Sequence, residues 1–323
     1  MESVKFIVKQ REEMLNKSSK TLEDIFNISY TDKNKILTEK NDGYRIFARS
    51  YGESYNTVRR YAYNINLKYP ELKDCYIGIS VDNSPEWIDI FWAILASGNK
   101  PYLINHRYPK ELTNKIIARL NIKFNIGKKD MGYDGELISI TSFSDECPID
   151  HKFCWANELA ISTSATTLNE KIVFYSGKEL SAQILNYEFV YRQNKLVASR
   201  YKGNVKMLMF LPLYHVFGLM ASFLWFAFFS CTMVFLRDYS AKIILKTIKK
   251  HHVTHIFAVP LFWQTIEKEV WKQIDKRGAK MREEFSFRAH PFYMIKILKR
   301  FIFVLIVPVV KAVIQYVVYR KFG

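Results

Sequence analysis

Residues 75–98 read CYIGISVDNSPEWIDIFWAILASG, a short apolar strand followed almost at once by a strongly apolar helix. Polar residues bound the segment 75–81, which predicts a short buried strand there. Asn83 is the predicted cap of the helix, with Glu86 three residues on, and Gly98 is the predicted stop. A buried strand that leads directly into a buried helix is typical of α/β proteins.

The same alternation of strand and helix continues along the chain. A helix is predicted over residues 109–120, between strands at 101–104 and 122–126. Further strands are predicted at residues 159–162, 171–175, 206–211, 231–236 and 254–259. Parallel strands need crossover connections, which are usually helices, so this rhythm predicts an α/β fold of parallel-sheet subdomains covered by helices.

The domain organisation is expected to be a set of packed subdomains, because no repeat of fixed period and no low-complexity linker divides the chain. Residues 1–150 are predicted to form a first α/β subdomain, and residues 151–275 a second one. Residues 276–323 are basic and apolar, and we expect them to lead into a missing part of the domain.

The chain is strongly basic. Its 323 residues carry a formal net charge of +17, and residues 241–323 hold 17 Lys and Arg against 5 Asp and Glu. Such a surplus suits nucleic acid, an anionic membrane surface, or small polyanions such as ATP and CoA. No zinc finger, aromatic RNA-binding signature or helix-turn-helix spacing is visible, so we expect no nucleic acid as a partner. Four scattered cysteines and a charged start without a secretory signal predict a cytoplasmic protein.

Two apolar segments are long enough to be considered as membrane spans. Residues 211–236 contain no Asp, Glu, Lys or Arg, and about 20 apolar residues suffice to cross a bilayer. Pro212, Gly218 and the polar residues 230–232 interrupt this run and favour a buried helix followed by a buried strand; an integral membrane protein is the alternative. Residues 291–319 are predicted to pack against protein or, second, to make a peripheral contact with an anionic membrane surface. A true membrane span over residues 301–319 is the third alternative.

A loop rich in hydroxyl groups follows the predicted strand at residues 159–162. Residues 162–167 read STSATT, with five hydroxyls in six positions, and Lys171 follows four residues later. Hydroxyls and turn amides donate hydrogen bonds to phosphate oxygens, and an ammonium group offsets their charge. The pattern is typical of an anion-binding loop, although a Ser/Thr-rich surface turn has the same composition.

This loop resembles the T-S-G-T-T-G-x-P-K loop of the adenylate-forming (AMP-binding) superfamily, and here residues 163–171 read TSATTLNEK. Three further blocks fall in the order of that superfamily. Residues 76–98 resemble its V-A-I-x-x-x-N-S-x-E-W strand and helix, residues 211–218 (LPLYHVFG) its P-x-x-H-x-F-G block, and residues 253–260 its V-T…P strand end. The resemblance covers residues 40–275.

The resemblance implies the large N-terminal domain of acyl-CoA synthetases, incomplete at its C-terminus. In that family a carboxylic acid, for instance a fatty acid, reacts with ATP to give an acyl-adenylate, and a thiol, usually CoA, then displaces AMP. By resemblance, the β- and γ-phosphates of ATP would be held, and Mg²⁺ would be placed, with the help of Thr163, Ser164, Thr166, Thr167 and Lys171. His215, the candidate catalytic residue, and Phe217 are expected at the acyl pocket.

The loop departs from the family pattern at its glycines and its proline. Ala165 and Leu168 stand where the family has glycines, and Glu170 stands where it has proline. Ile172 replaces the glycine after the lysine. Glycine admits a positive φ and a close approach of phosphate to the backbone, whereas leucine resists both. We therefore expect either weaker ATP binding or a variant loop geometry.

The later motifs of the family are not visible after residue 276. The sequence lacks the aromatic-Gly-x-Thr-Glu segment, the ribose-binding aspartate and the late lysine. We therefore expect a truncated product or a gene fragment that carries only part of the active site. The alternative function is a non-catalytic remnant that binds an acyl group, a nucleotide or a partner domain.

The sequence contains two groups of potential metal ligands. Cys147, His151 and Cys154 lie close together, but no second pair of ligands at a zinc-site spacing is near. The segment 251–255 places histidines one helical turn apart, yet His252 stands where H-E-x-x-H has its glutamate. Neither pattern predicts a metal centre.

Overall fold

The computed structural model describes residues 4–163, 171–193 and 203–275. The helices are α1 (Val4–Lys17), α2 (Leu22–Ser29), α3 (Tyr51–Lys68), α4 (Pro85–Ala96), α5 (Lys110–Arg119), α6 (Gly177–Gln193), α7 (Trp225–Phe228), α8 (Ala241–His251) and α9 (Pro260–Asp275). A π-helix, Gly218–Leu224, leads directly into α7, and a short 3₁₀ helix covers Ile140–Ser142. The strands are β1 (Ile36–Asn41), β2 (Ile46–Ser50), β3 (Tyr76–Ile79), β4 (Lys100–Leu103), β5 (Phe124–Gly127), β6 (Glu136–Ser139), β7 (Glu158–Thr163), β8 (Lys171–Ser176), β9 (Lys206–Met209), β10 (Thr232–Phe235) and β11 (His255–Ile256).

The strands form two sheets. The first sheet has the order β11-β9-β10-β1-β2, and the second has the order β6-β5-β3-β4-β7-β8. Neighbouring strands run parallel except in the pairs β1–β2 and β7–β8, which are antiparallel. The predicted α/β fold with parallel sheets is thereby confirmed. β8 reverses direction because residues 164–170 are too few for a parallel crossover, which takes about a dozen residues or more.

Each sheet takes strands from both sides of residue 150, where the sequence predicts a boundary between subdomains. β1 and β2 of the first sheet precede it, whereas β9, β10 and β11 follow it. In the second sheet, β7 and β8 follow it. The division into residues 1–150, 151–275 and 276–323 stays a prediction.

Helix α4 lies between the two sheets and explains the apolar character of its sequence. It contacts β1 of the first sheet as well as β3 and β4 of the second. Trp87, Ile88, Phe91 and Trp92 are all buried, and side chains on every face of the helix are covered. Burying each large apolar side chain stabilises the fold by about 2 kcal/mol, so α4 is a major part of the core.

The start of α4 differs from the prediction in one residue. Ser84, and not Asn83, is the N-cap, since the Oγ atom of Ser84 accepts a hydrogen bond from the backbone N–H of Trp87 at 3.3 Å. Pro85 occupies the first turn, where its missing N–H costs nothing. The side chain of Asn83 is thereby free for a second segment of the chain, described below.

The apolar run of residues 211–236 is not one unbroken helix, which is what a membrane span at this place would require. It divides into a turn, the π-helix with α7, and the buried strand β10. This is the predicted buried helix followed by a buried strand. Among the helices within residues 4–275 that the structure describes, none is long and apolar enough to cross a membrane. The second apolar segment, residues 291–319, lies outside the described residues.

Candidate functional site

The two ends of the hydroxyl-rich loop are held side by side. β7 ends at Thr163 and β8 begins at Lys171, and these two residues are partners in the antiparallel pair. The Oγ1 atom of Thr163 donates to the backbone carbonyl of Lys171 at 3.3 Å, and both side chains lie toward solvent rather than in the core. Of the predicted phosphate-binding residues, Ser164, Thr166 and Thr167 lie outside the described residues.

The residue after Lys171 has a role in packing. Ile172, at the position where the family pattern has glycine, is partly buried and packs against the cluster that contains Tyr102 and Ile104. It is a strand residue of β8, paired with Ser162 of β7. Isoleucine in place of the family's glycine at position 172 therefore adds an apolar side chain to the core of the second sheet.

The two ends of the loop, Thr163 and Lys171, lie at the carboxyl edge of the second sheet. β7 runs parallel to β4, with Tyr102 paired to Ala160 and Leu103 to Ile161. The hydroxyl of Tyr102 donates to the Oγ atom of buried Ser162 at 3.3 Å. The carboxyl ends of parallel strands are where ligands bind in open α/β sheets.

The block around His215 is a turn that follows β9 of the first sheet. The backbone N–H of His215 donates to the carbonyl of Pro212 at 3.2 Å, and the N–H of Leu219 donates to the carbonyl of His215 at 2.9 Å. The side chain of Asn83 holds this turn from the other sheet. Its Nδ2 donates to the carbonyl of Leu211 at 2.7 Å, and its Oδ1 accepts from the N–H of Leu213 at 3.0 Å. Two of the four sequence blocks thus meet through one amide side chain.

The turn requires a glycine at position 218. A Cβ atom on Gly218 would lie 2.0 Å from the carbonyl oxygen of Pro212 and 2.7 Å from its carbon. Backbone atoms at that distance cannot give way, so only glycine fits here. The glycine at the end of the block LPLYHVFG is therefore required by the geometry of the turn.

The protonation of His215 follows from its contacts. Its Nδ1 accepts a hydrogen bond from the backbone N–H of Phe217 at 3.2 Å, so the neutral ring carries its proton on Nε2. Partial loss of hydration, and next the positive charge of Arg107, lower the pKa of His215. At neutral pH the ring is therefore uncharged and offers an Nε2–H donor. The ring of Phe217 lies 6.0 Å from that of Phe257.

A second histidine lies next to this block and was not among the predicted site residues. The Nε2 of His106 donates to the carbonyl of Val81 at 3.3 Å, and its Nδ1 is 3.2 Å from the hydroxyl of Tyr133. The ring of His106 meets the edge of the Tyr214 ring at 5.8 Å. His106 thereby joins the loops after β3 and β4 to the residue before His215. Its position just after a parallel strand was the signal in the sequence.

A cavity of about 1060 Å³ opens between the carboxyl ends of the two sheets. Five cationic side chains line it, against the single carboxylate of Asp82; they are Lys40, Arg107, Lys128, Lys129 and Arg237. Lys128 is paired with Glu86 at 2.7 Å. The opposite wall is apolar and comes from the first sheet, α8 and α9: Phe210, Leu236, Tyr239, Ile244, Val259, Leu261, Phe262 and Ile266.

The predicted site residues lie beside this cavity and not in its wall. Of those that the structure describes, Thr163, Lys171, His215 and Phe217 are absent from its lining, while Tyr214, next to His215, is part of it. Arg107 connects the cavity with the His215 turn, because it lines the cavity and its positive charge lowers the pKa of His215. The structure thus joins the cavity and the His215 turn through Arg107 and Tyr214. Within the described part of the chain, no group of three His, Cys, Asp or Glu could hold a metal ion.

Comparison with known proteins gives a consistent result. The sequence model of the family described as AMP-binding enzyme matches residues 41–292. The chain resembles the structure of O-succinylbenzoate Coenzyme A synthetase (MenE) from Bacillus subtilis in complex with AMP, with a TM-score of 0.62 and 18% identity over 76% of this chain and 63% of that chain. No curated protein matches the sequence.

Two further solved structures share the fold. The N-terminal subdomain of Klebsiella oxytoca NpsA has a TM-score of 0.58 and 16% identity over 74% of this chain and 61% of that chain. MatB from Rhodopseudomonas palustris, in its apo form, has a TM-score of 0.59 and 18% identity over 75% of this chain and 50% of that chain. The chain therefore spans less than two thirds of the length of these relatives.

Proposed function

The chain belongs to the family of AMP-binding enzymes, and from this we propose that it serves an adenylate-forming ligase of the acyl-CoA synthetase type. In this reaction a carboxylate oxygen bonds to the α-phosphorus of ATP and pyrophosphate leaves. The sulfur of a thiol then bonds to the acyl carbon and AMP leaves. One observation carries the proposal: Asn83, from the family's strand-and-helix block, holds the family's His215 block in place with two hydrogen bonds.

We assign ATP to the hydroxyl-rich loop. The Thr163 hydroxyl and the exposed Lys171 stand at its two ends, and Ser164, Thr166 and Thr167 lie between them in the sequence. Hydroxyl donors and an ammonium group fit the charge of the β- and γ-phosphates. Mg²⁺ in such sites is bound largely by the phosphates and water, so we expect it to enter with ATP.

We assign the acid to the neighbourhood of His215 and Phe217. A neutral imidazole with its proton on Nε2 can donate a hydrogen bond to the carboxylate and to the negative charge that develops in the transition state. The half-buried ring of Phe217, which packs on the buried ring of Phe257, supplies an apolar surface for the acyl group. Both a fatty acid and an aromatic acid are candidates, the second because MenE and NpsA structures contain such acids as adenylates or related compounds.

We assign CoA to the basic cavity. The phosphates of CoA need cationic partners, and the cavity wall contains Lys40, Arg107 and Lys129. The volume of about 1060 Å³ is at the upper end of ordinary ligand pockets, which suits a long cofactor. Arg107 places the cavity next to the His215 turn, where the thiol would have to meet the acyl group.

The rival proposal is a binding remnant without catalysis. Leu168 and Glu170 in the loop favour it, because a bulky side chain and a negative charge both oppose phosphate. Cytoplasmic location, a role in fatty acid metabolism and a membrane contact through residues 291–319 remain predictions from the sequence.

The first experiment is a thermal melt of the purified chain with and without MgATP. A ligand that binds only the folded state raises the melting temperature. We expect MgATP to raise it for wild type and for Lys178→Ala, an exposed lysine beyond the far end of β8, but not for Lys171→Ala. No rise in wild type at saturating MgATP would refute the assignment of ATP.

The second experiment separates the ligase from the remnant. Pyrophosphate-ATP exchange is measured with a panel of fatty and aromatic acids. Exchange that depends on one acid and is lost in His215→Ala supports the ligase. MgATP binding without exchange for any acid supports the remnant.

A further inference from the structure

The turn between β1 and β2 exposes an unusual group of apolar side chains. Eleven large hydrophobic residues are exposed in the described part of the chain, and three of them stand within four positions: Tyr44 at 92%, Ile46 at 42% and Phe47 at 55% exposure. Single exposed hydrophobics are common, but contiguous ones mark interaction sites. We call residues 42–47 the hairpin tip.

The hairpin tip projects from the fold on both of its faces. Ile46 pairs with Asn41 and Phe47 pairs with Lys40, and consecutive strand residues point to opposite faces of a sheet. Both side chains are nevertheless exposed, and β2 is the edge strand of the first sheet. The tip is therefore open to solvent on both faces, which suits insertion into a soft surface and not the enclosure of a small ligand.

The backbone of the tip is held in one conformation. The Oδ1 atom of Asp42 accepts hydrogen bonds from the N–H groups of Tyr44 and Arg45, each at 2.8 Å. Two cations reach it, one from the loop after β10 and one from the last turn of α8. Arg237 donates to the carbonyl of Asp42 at 3.0 Å, and Lys250 donates to the carbonyl of Tyr44 at 2.9 Å. The apolar side chains are thus presented on a fixed turn.

The surroundings of the tip are basic. Besides Arg237 and Lys250, Arg45 is exposed in the turn itself and Lys40 is paired opposite Phe47. In the described part of the chain, none of these four cations forms an ion pair with a carboxylate within 4.0 Å. The nearby acids are engaged locally, since Asp42 accepts the turn amides and the Oδ1 of Asp238 accepts from the N–H of Ser240 at 2.5 Å.

We propose that the hairpin tip docks the protein onto an anionic membrane surface. Tyr44, Ile46 and Phe47 enter the level of the lipid headgroups, where aromatic side chains with one polar end are favoured. Arg45, Arg237 and Lys250 lie against the anionic headgroups. This inference does not rest on the proposed ligase function, and it involves a part of the chain distant in sequence from residues 291–319.

The test is sedimentation of the full chain with vesicles of phosphatidylcholine, with and without phosphatidylserine. We expect wild type to pellet with the anionic vesicles only. Tyr44→Ser/Phe47→Ser should bind at least about tenfold more weakly because it removes the apolar contact. Arg45→Gln should bind about fivefold more weakly, since each basic residue near the surface contributes about 1 kcal/mol.

Matched controls separate the tip from the basic charge of the whole chain. Ile149→Ser removes a hydrophobic side chain that is 91% exposed elsewhere, and Lys17→Gln removes an exposed cation of α1. Both should pellet like wild type, and all variants should keep the wild-type melting temperature because the replaced side chains are exposed.

Three outcomes would overturn the proposal. The first is a failure of wild type to bind anionic vesicles. The second is binding by Tyr44→Ser/Phe47→Ser that equals wild type, or a control variant that loses as much binding as this one. The third is loss of oligonucleotide binding in the tip variant with vesicle binding unchanged, which would assign the surface to nucleic acid.

Discussion

The Nη1 atom of Arg49 lies 2.7 Å from the Oδ2 atom of Asp89, a carboxylate that is only 1% exposed in the middle of α4. Ser54 donates to the other oxygen of Asp89 at 2.5 Å. The contacts join β2 and α3 to the central helix. Burial raises the pKa of Asp89 to about 6, although Arg49 and Ser54 act in the opposite direction.

This raised pKa predicts a dependence of stability on pH. The folded state holds the Asp89 proton more tightly than the unfolded state, so the contribution of this group to stability is present at low pH and is lost as the pH rises from about 4 to about 6. The loss amounts to about 3 kcal/mol. In Asp89→Asn the free energy of unfolding should therefore gain a more positive slope against pH over this range.

Urea unfolding from pH 4 to pH 7 measures this slope. Near pH 4 the stability of Asp89→Asn should come closest to that of wild type, because Asp89 is then protonated and both side chains are uncharged. Asp150→Asn, an exposed carboxyl, is the control and should follow the wild-type profile. Parallel profiles for wild type and Asp89→Asn would mean that the pKa is not raised.

His255 predicts a pH dependence of opposite sign. Burial lowers the pKa of this residue of β11 to about 4. The folded state therefore binds fewer protons than the unfolded state between pH 4 and 6.5, so stability should rise with pH there, by about 3 kcal/mol. In wild type this rise largely offsets the fall from Asp89. His255→Gln should therefore shift the slope of stability against pH toward the fall from Asp89, measured by the same urea titration.

Other carboxylates act equally in wild type and in His255→Gln, so they cancel in the difference between the two slopes. Hydrogen bonds and ion pairs outweigh burial and lower the pKa of Asp32 and of Glu39. Their contribution to stability is present above the ordinary carboxylate pKa of about 4 and is lost as the pH falls from there through the lowered value. A His255→Gln profile with the same slope as wild type between pH 4 and 6 would contradict the lowered pKa of His255.

Gly218→Ala should be strongly destabilising. The new Cβ would collide with the backbone of Pro212, and overpacking of this kind costs about 1–3 kcal/mol or more. Gly203→Ala is the contrast, because nothing lies within 4 Å of its Cβ position and its φ of 66° alone opposes alanine, at a cost of about 1 kcal/mol. Chemical denaturation of both variants gives the comparison. Equal losses would show that the contact with Pro212 is relieved by a shift of the turn.

Asn83→Ala should loosen the His215 turn without unfolding the protein. Its amide makes two hydrogen bonds to the turn, and their removal should cost about 1–2 kcal/mol of unfolding free energy. We also expect acid-dependent pyrophosphate exchange to fall while the MgATP shift in melting temperature persists. Asn27→Ala, at an exposed position of α2, is the control and should change neither quantity. A loss of the MgATP shift in Asn83→Ala would place nucleotide at the His215 turn.

The local pattern of apolar and polar residues predicted much of the second sheet. Each segment of the β3-α4-β4-α5-β5 run is a compact apolar strand, the strongly apolar helix α4 or the amphipathic helix α5, and every element appears within a few residues of its predicted place. The division of residues 211–236 into helix and strand was also predictable, because Gly218 and the polar residues 230–232 interrupt the run.

Other features depend on contacts that no local pattern contains. β1 has the sequence ILTEKN, in which apolar and polar residues alternate poorly. It is a strand because it pairs with β10 from a distant part of the chain. Asn83 resembles a helix cap in sequence, yet its amide is used by residues 211 and 213. The basic cavity combines loops from both sheets, so its cations are scattered in the sequence and could not be grouped beforehand.

The order of strands in the first sheet also constrains how the chain folds during synthesis. Thr38 of β1 is aligned with Met233 of β10, and the whole second sheet lies between them in the sequence. Closing so long a loop is entropically slow, and high contact order lowers folding rates. On the ribosome, the edge of β1 that pairs with β10 therefore stays unpaired until β10 is synthesised. The second sheet can already assemble during this time. A chaperone that covers exposed strand edges should act on the nascent chain in this interval.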